Sequence, residues 1–147
     1  MIPQLKAATE SQPKANEFSL IGRRHLRSNN SWMHNSKRLV KGADRCTLMM
    51  HSNDAQTLNL VDGAPVAISS SVGSVKAPLE ITDEIMPGVV SLPHGYGHHR
   101  PRTKLSVATE HAGVSINDLT DDKIVDNLTG NAAFSAQTVR IEATNDE

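Results

Sequence analysis

"DGAPVAISSSVGSVKAPLEITDEIMPGVVSLP", Asp62 to Pro93, is the stretch on which the fold turns. Asp62-Gly63 is a turn signal. Beyond it Val66 and Ile68 alternate, Gly73 interrupts, and Val75, Ala77, Leu79 and Ile81 restore a period of two. That period puts all the apolar side chains of a strand on one face. Two such runs flanking a glycine predict a β-hairpin. Pro87-Gly88 then predicts a second turn, with Val89, Val90 and Leu92 forming the strand that follows it.

The same texture extends in both directions. Upstream, Phe18 and Leu20 alternate with polar neighbours, and Cys46 to His51 is a short apolar run. "SNDAQTLNL", Ser52 to Leu60, predicts one helical turn capped by Asn53 or Asp54, with Ala55 and Leu58 on its apolar side. Downstream, "AQTVRIEA" predicts a last strand carrying Val139 and Ile141. Short strands separated by Asp-Gly, Gly and Pro-Gly turns predict a mainly β domain closed as a small barrel, with few short helices. His94 to Lys104 and Gly113 to Phe134 fit no regular element and read as long irregular loops. On a compact barrel, such loops are where binding is done. The chain divides into a flexible leader, 1–16, a barrel domain, 17–143, and a polar tail, 144–147.

Composition narrows the function. At 147 residues the chain suits one domain with its own core. A formal net charge of −1 provides no basic field for a nucleic-acid backbone, so no nucleic-acid partner is expected. The single Cys46 precludes an internal disulfide and a multi-cysteine zinc site, and fits a reducing compartment. No apolar run approaches the roughly 18–20 residues that span a bilayer, so no membrane insertion is expected. Arg23-Arg24 evokes a twin-arginine export signal, but polar residues follow it, and the expected location is cytoplasmic.

Chemistry concentrates in "IGRRHLRSNNSWMHN", Ile21 to Asn35. Arginine forks bind phosphate in bidentate fashion. Asn29, Asn30 and Ser31 offer donors and acceptors suited to heterocycle edges, and Trp32 can cover an apolar face. A ligand with both phosphates and fused rings uses all of these; the run equally suits a solvated surface strand and turn. His94, His98 and His99 match a metal site only loosely. Adjacent histidines in an extended chain point in different directions, so they read as solvated loop residues, His94 being available to a ligand. There is no G-x-S-x-G elbow and no Gly-rich phosphate loop, and Cys46 in an apolar run reads as a small hydrophobe.

Three segments in order carry a family resemblance. "LIGRRHLRSNNSWMHN" resembles an opening strand and loop. "MMHSNDAQTLNLVDGAPVAISSSVGSVKAPLEITDEIMPGVVSLPHGYGH" resembles a central pattern of Asp-Ala, a bend, a hairpin, and Pro-Gly-Val-Val leading to His-Gly-Tyr. "SINDLTDDKIVDNLTGNAAFSAQTVRI" resembles a closing Asn-x-Leu-Thr pattern and final strand. Together they span Phe18 to Ala143 and resemble the C-terminal molybdopterin dinucleotide-binding domain of the large molybdenum and tungsten oxidoreductases. That group includes formate dehydrogenases, nitrate reductases and dimethyl sulfoxide reductases.

The resemblance implies a double-psi β-barrel. It also implies molybdopterin guanine dinucleotide in its bis form, shared with the remaining domains of a parent oxidoreductase. By position, Arg23 with Asn29, Asn30, Ser31 and Trp32 would lie along pterin and pyrophosphate, and Arg27 nearby. His94, Gly95 and Tyr96 would form a second wall, and Asn117 would reach a pterin or nucleotide edge. The family's metal-ligating residue lies in another domain, so this chain is expected not to ligate molybdenum or tungsten and to have no turnover alone. One departure is Asn127 after Asp126, where the family often has proline. The rival readings are a double-psi barrel that serves as a protein-interaction module without cofactor, and a small histidine-dependent metalloenzyme.

Overall fold

The computed structural model describes residues 16–126 and 128–144. Most of the expected leader and tail, and Asn127, lie outside the described residues. Six strands follow in chain order: β1 (Glu17–Arg23), β2 (Leu48–Met50), β3 (Pro65–Ser69), β4 (Ser74–Ile81), β5 (Val89–Pro93) and β6 (Gln137–Ala143). They close into a barrel in the order β1-β5-β2-β4-β3-β6. The β1/β5 and β2/β4 pairs are parallel, while β1/β6, β2/β5, β3/β4 and β3/β6 are antiparallel. This is a double-psi β-barrel: a small barrel, as the short strands and turns predict, of the form that the family resemblance implies.

Alternation supplies the core. Phe18, Leu20, Leu48, Met50, Val66, Ile68, Leu79, Val139 and Ile141 all point inward and are buried. Each such side chain contributes about 1.5–3 kcal/mol of transfer free energy. β5 departs from the pattern. Val90, Ser91, Leu92 and Pro93 are all buried, in a strand paired on one side with parallel β1 and on the other with antiparallel β2.

The turns are held by side chains. Asp62 Oδ1 accepts from Ile81 N at 2.8 Å, tying the Asp62-Gly63 turn to the end of β4. Gly73 serves a close approach: a Cβ there would collide with the backbone carbonyl of Asp118. The predicted helical turn is α2 (Ser52–Thr57), preceded in the chain by α1 (Lys37–Val40). Its cap is neither Asn53 nor Asp54. His51 is the N-cap, its Nδ1 accepting from Asn53 N. Asp54 is drawn elsewhere, accepting from Gly88 N at 2.7 Å and so clamping the Pro87-Gly88 turn ahead of β5.

In their described residues the two segments expected to be irregular are so, apart from a 3₁₀ turn at Ile116–Asp118 and a bridge between Val125 and Ala132. Neither α1 nor α3 (Ser106–Glu110) is foreshadowed by the periodicity. α3 is capped from a distance: Asn35 Oδ1 accepts from Val107 N and Ala108 N at 3.0 and 3.1 Å. Among the described residues no helix is long and apolar enough to cross a membrane.

Candidate functional site

Parallel pairing determines where the site forms. Arg23 stands in register with Pro93, so β1 and β5 end together and their following loops leave the barrel side by side. His94 N donates to Arg23 O at 2.9 Å, adding one rung beyond the strands. The segment after β1 then turns repeatedly: Ser28 N donates to His25 O, Trp32 N to Asn29 O, and His34 N to Ser31 O. Asn29 and Asn30 have φ of 43° and 63°. Asparagine tolerates this left-handed region better than other non-glycine residues, so the Asn-Asn pair builds the turn as well as presenting amides.

Two glycines let three segments meet. Gly95 has φ +96°, and a Cβ on it would overlap the carbonyl oxygen of Asn30. Gly97 has φ +103°, and its Cβ would press on Ser115. Gly97 N and His98 N both donate to Ala112 O, at 2.8 and 3.1 Å. The result is a groove of about 360 Å³. Asn30 and Ser31 form one side, His94, Gly95 and Tyr96 another, and Asn117 with Ile116 a third. Six of the residues expected at the site therefore line one groove. Asn30 also borders an adjoining hollow of about 510 Å³, shared with Asn29, Arg24 and Met33.

Arg23 points elsewhere. Its guanidinium donates to Ser91 O, to Thr47 O and Oγ1 at 2.8 Å each, and more weakly to Arg45 O, with Glu80 at 3.8 Å. Burial lowers its pKa, opposed by the Glu80 carboxylate. Arg27 borders a separate small cavity of about 20 Å³ beside His34 and Tyr96. Trp32 is 85% exposed and lines neither hollow.

The loop histidines differ from the expected solvated set. His99 is exposed, but His98 folds back so that its Nε2 lies 2.8 Å from Nδ1 of His34, which is buried. The Tyr96 ring packs on His34, with centroids 4.3 Å apart. His94 is half-buried and meets Phe134 edge-on at 5.4 Å. Phe134 in turn lies over Gly22, where a Cβ would strike its ring. The buried Nδ1 of His94 and Nε2 of His34 have no hydrogen-bond partner among the described residues. Burial pushes the Cys46 thiol up to about 11, in keeping with a small hydrophobe. Among the described residues no group of three or more His, Cys, Asp or Glu is arranged to hold a metal ion.

Sequence reasoning missed His34, Arg100, Ser115 and Phe134. Arg100 lines the groove and pairs with Asp118. For His34 the "WMHN" run gave no periodicity that marks burial. For Phe134, a large aromatic in the Asn- and Gly-rich closing loop was an available signal.

Comparisons with known proteins converge on one family. The profile described as "Molydopterin dinucleotide binding domain" matches residues 18–139. Probable oxidoreductase YoaE of Bacillus subtilis is 28% identical over 113 residues, covering 77% of this chain and 15% of that protein. A tetrathionate reductase polypeptide of Salmonella typhimurium is 30% identical over 84 residues, covering 48% of this chain and 8% of that protein. Acetylene hydratase from Pelobacter acetylenicus superposes with a TM-score of 0.73 at 18% identity, over 97% of this chain and 20% of that one. The chain thus spans a small fraction of the length of the proteins it matches.

Proposed function

The chain belongs to the molydopterin dinucleotide binding domain family, and from that premise we propose that residues 17–143 hold and orient a molybdopterin guanine dinucleotide in the groove between the β1 and β5 loops. We further propose that it does so as one domain of a larger molybdenum or tungsten oxidoreductase, of the formate dehydrogenase or nitrate reductase kind, located in the cytoplasm. One observation carries the reading. The three segments that resemble the family in sequence, around Asn30, His94 and Asn117, line a single groove although they are far apart in the chain.

The residues present suit such a group. Asn30, Ser31 and Asn117 supply amide and hydroxyl donors and acceptors for ring edges. Gly95 and Gly97 admit a close approach of backbone to backbone, which keeps the groove narrow. His94 brings a ring nitrogen without a hydrogen-bond partner among the described residues. Tyr96 and His98 give the wall a partly aromatic surface. Arg23 enters the reading as the brace beneath this wall, since its fork is committed to β5 and to Thr47. Asn29 borders the adjoining hollow. Arg27, on the small cavity that Tyr96 also lines, and the exposed indole of Trp32, next in the chain to Ser31, would meet the cofactor's outer face or the rest of the parent enzyme.

When bound, the cofactor supplies the redox chemistry; this chain's contribution is position and exclusion of water from one face. A rigid barrel presenting loops pinned by glycine approaches and strand register is suited to that task. The metal's own ligand is assigned to another domain of the parent.

Titrating the chain anaerobically with molybdopterin guanine dinucleotide tests the reading. The expected result is a change in Trp32 fluorescence, with amide shifts concentrated at Asn30, Gly95 and Asn117. Unmoved amides at all three positions would favour the protein-interaction module instead.

A further inference from the structure

Of the described residues lining the groove, Arg100 is the one arginine or lysine, and no aspartate or glutamate is among them. It sits on the loop after β5 and reaches across to Asp118, at the end of the 3₁₀ turn that also carries Asn117. The pair therefore straddles two of the three segments that make the site. Both side chains are well exposed, 56% for Arg100 and 37% for Asp118. Surface pairs of this kind are weakly held, and a better anion can replace the carboxylate. A phosphate is such an anion, because the guanidinium fork matches two of its oxygens at once.

We infer that Arg100 is the cation that receives a phosphate group of the ligand in this groove, with Asp118 holding the fork in place until the ligand arrives. The inference rests on the dinucleotide reading given above and adds to it. A dinucleotide carries a pyrophosphate, and the walls around Asn30, His94 and Asn117 offer amide, hydroxyl and imidazole groups. Arg23, the arginine that sequence alone points to, has its fork turned into the barrel. Arg24 borders the adjoining hollow, and its fork donates to Asn30 Oδ1. Arg100 is thus the arginine best placed to meet an anion inside the groove that holds Asn30, His94 and Asn117.

The experiment compares Arg100→Gln, Arg100→Lys, Asp118→Asn and Lys104→Gln in the full chain. Lys104 is an exposed cation on the same loop that lines neither the groove nor the adjoining hollow, and so controls for net charge. The probe is molybdopterin guanine dinucleotide, followed by Trp32 fluorescence and by amide shifts at Gly95 and Asn117. Arg100→Gln is expected to weaken binding about tenfold or more, the factor for losing a charge-assisted contact, and to flatten its salt dependence. Arg100→Lys should recover part of the loss, and Asp118→Asn should bind several-fold tighter because the competing carboxylate is gone. Circular dichroism and melting temperature establish that each variant is folded. Arg100→Gln binding as tightly as Lys104→Gln overturns the assignment while leaving the dinucleotide reading intact. Weaker binding by Asp118→Asn would also overturn it, because the pair would then be scaffolding. No response from the unsubstituted chain overturns the reading itself, and Arg100 with it.

Discussion

Nδ1 of His34 and Nε2 of His98 lie 2.8 Å apart, so one shared proton joins the segment after β1 to the loop after β5. Burial lowers the pKa of both rings from the ordinary 6.5, and for His34 the neighbouring His98 lowers it further. The charged groups around them do not reverse that direction. Arg27, Arg45 and Asp44 share a small cavity with His34, Arg100 shares the groove with His98, and Tyr96 packs on His34. The folded chain thus favours neutral rings, and the unfolded chain takes up protons first.

The pair's contribution is therefore complete above the unfolded pKa near 6.5 and is lost as pH falls through the lower folded values. We expect the melting temperature to drop between pH 7.5 and 5.5, and to drop less steeply in His98→Gln. Melting curves recorded across that range check this. An identical slope in the variant would show that the pair does not set it.

Gly95 faces two separate penalties on substitution. Its φ of +96° is strained for any residue with a Cβ, and that Cβ would overlap the Asn30 carbonyl. Gly63 has a similar φ of +76° with nothing within 4 Å, and isolates the first penalty. Gly63→Ala should cost about 1 kcal/mol and Gly95→Ala about 2–4 kcal/mol, from backbone strain alone and from strain plus collision. Urea unfolding of the two variants measures the difference. Equal losses would mean that the β1 and β5 loops part without cost.

The contrast between these glycines bears on what the sequence made legible. β1, β3, β4 and β6 were readable from period-two alternation and β5 from the turn ahead of it, because these are local signals that the barrel core merely enforces, while β2 showed only as a short apolar run. Asn30, Ser31, His94, Gly95, Tyr96 and Asn117 were readable as candidates through family resemblance, and the register of β1 with β5 explains why they meet. What was not legible depends on partners distant in the chain. Asp54 reads as a helix cap until the Gly88 N–H competes for it. Arg23 reads as a phosphate fork until Ser91 and Thr47 are placed beside it. His98 reads as solvated until the loop folds back onto His34. In each case the deciding contact comes from a residue distant in the chain.

Asp54 offers a direct measure of one such contest. Its carboxylate accepts from Gly88 N at 2.7 Å, joining α2 to the turn that launches β5. Asp54→Ala leaves a partly buried N–H without its acceptor and should cost about 1.5–3 kcal/mol, as for a hydrogen bond to a charged group. Asp54→Asn keeps an acceptor and should recover roughly half. Guanidinium unfolding reads both. An Asp54→Ala chain as stable as the parent would show that water replaces the carboxylate freely at this turn.

Arg23 separates bracing from ligand contact. Its fork spans β5 and the residues ahead of β2 through Ser91 O, Thr47 O and Thr47 Oγ1, with the Glu80 carboxylate beyond. A lysine ammonium has no planar fork and cannot reproduce that set. Arg23→Lys is therefore expected to lower stability by about 2–4 kcal/mol, in the range for breaking a partly buried charged network. Denaturant unfolding measures that loss. Cofactor affinity, determined at a temperature where the variant remains folded, should change by less than in Arg100→Gln. A stable Arg23→Lys chain that has lost its affinity would reverse the two roles, and return the phosphate contact to the arginine that the sequence first singled out.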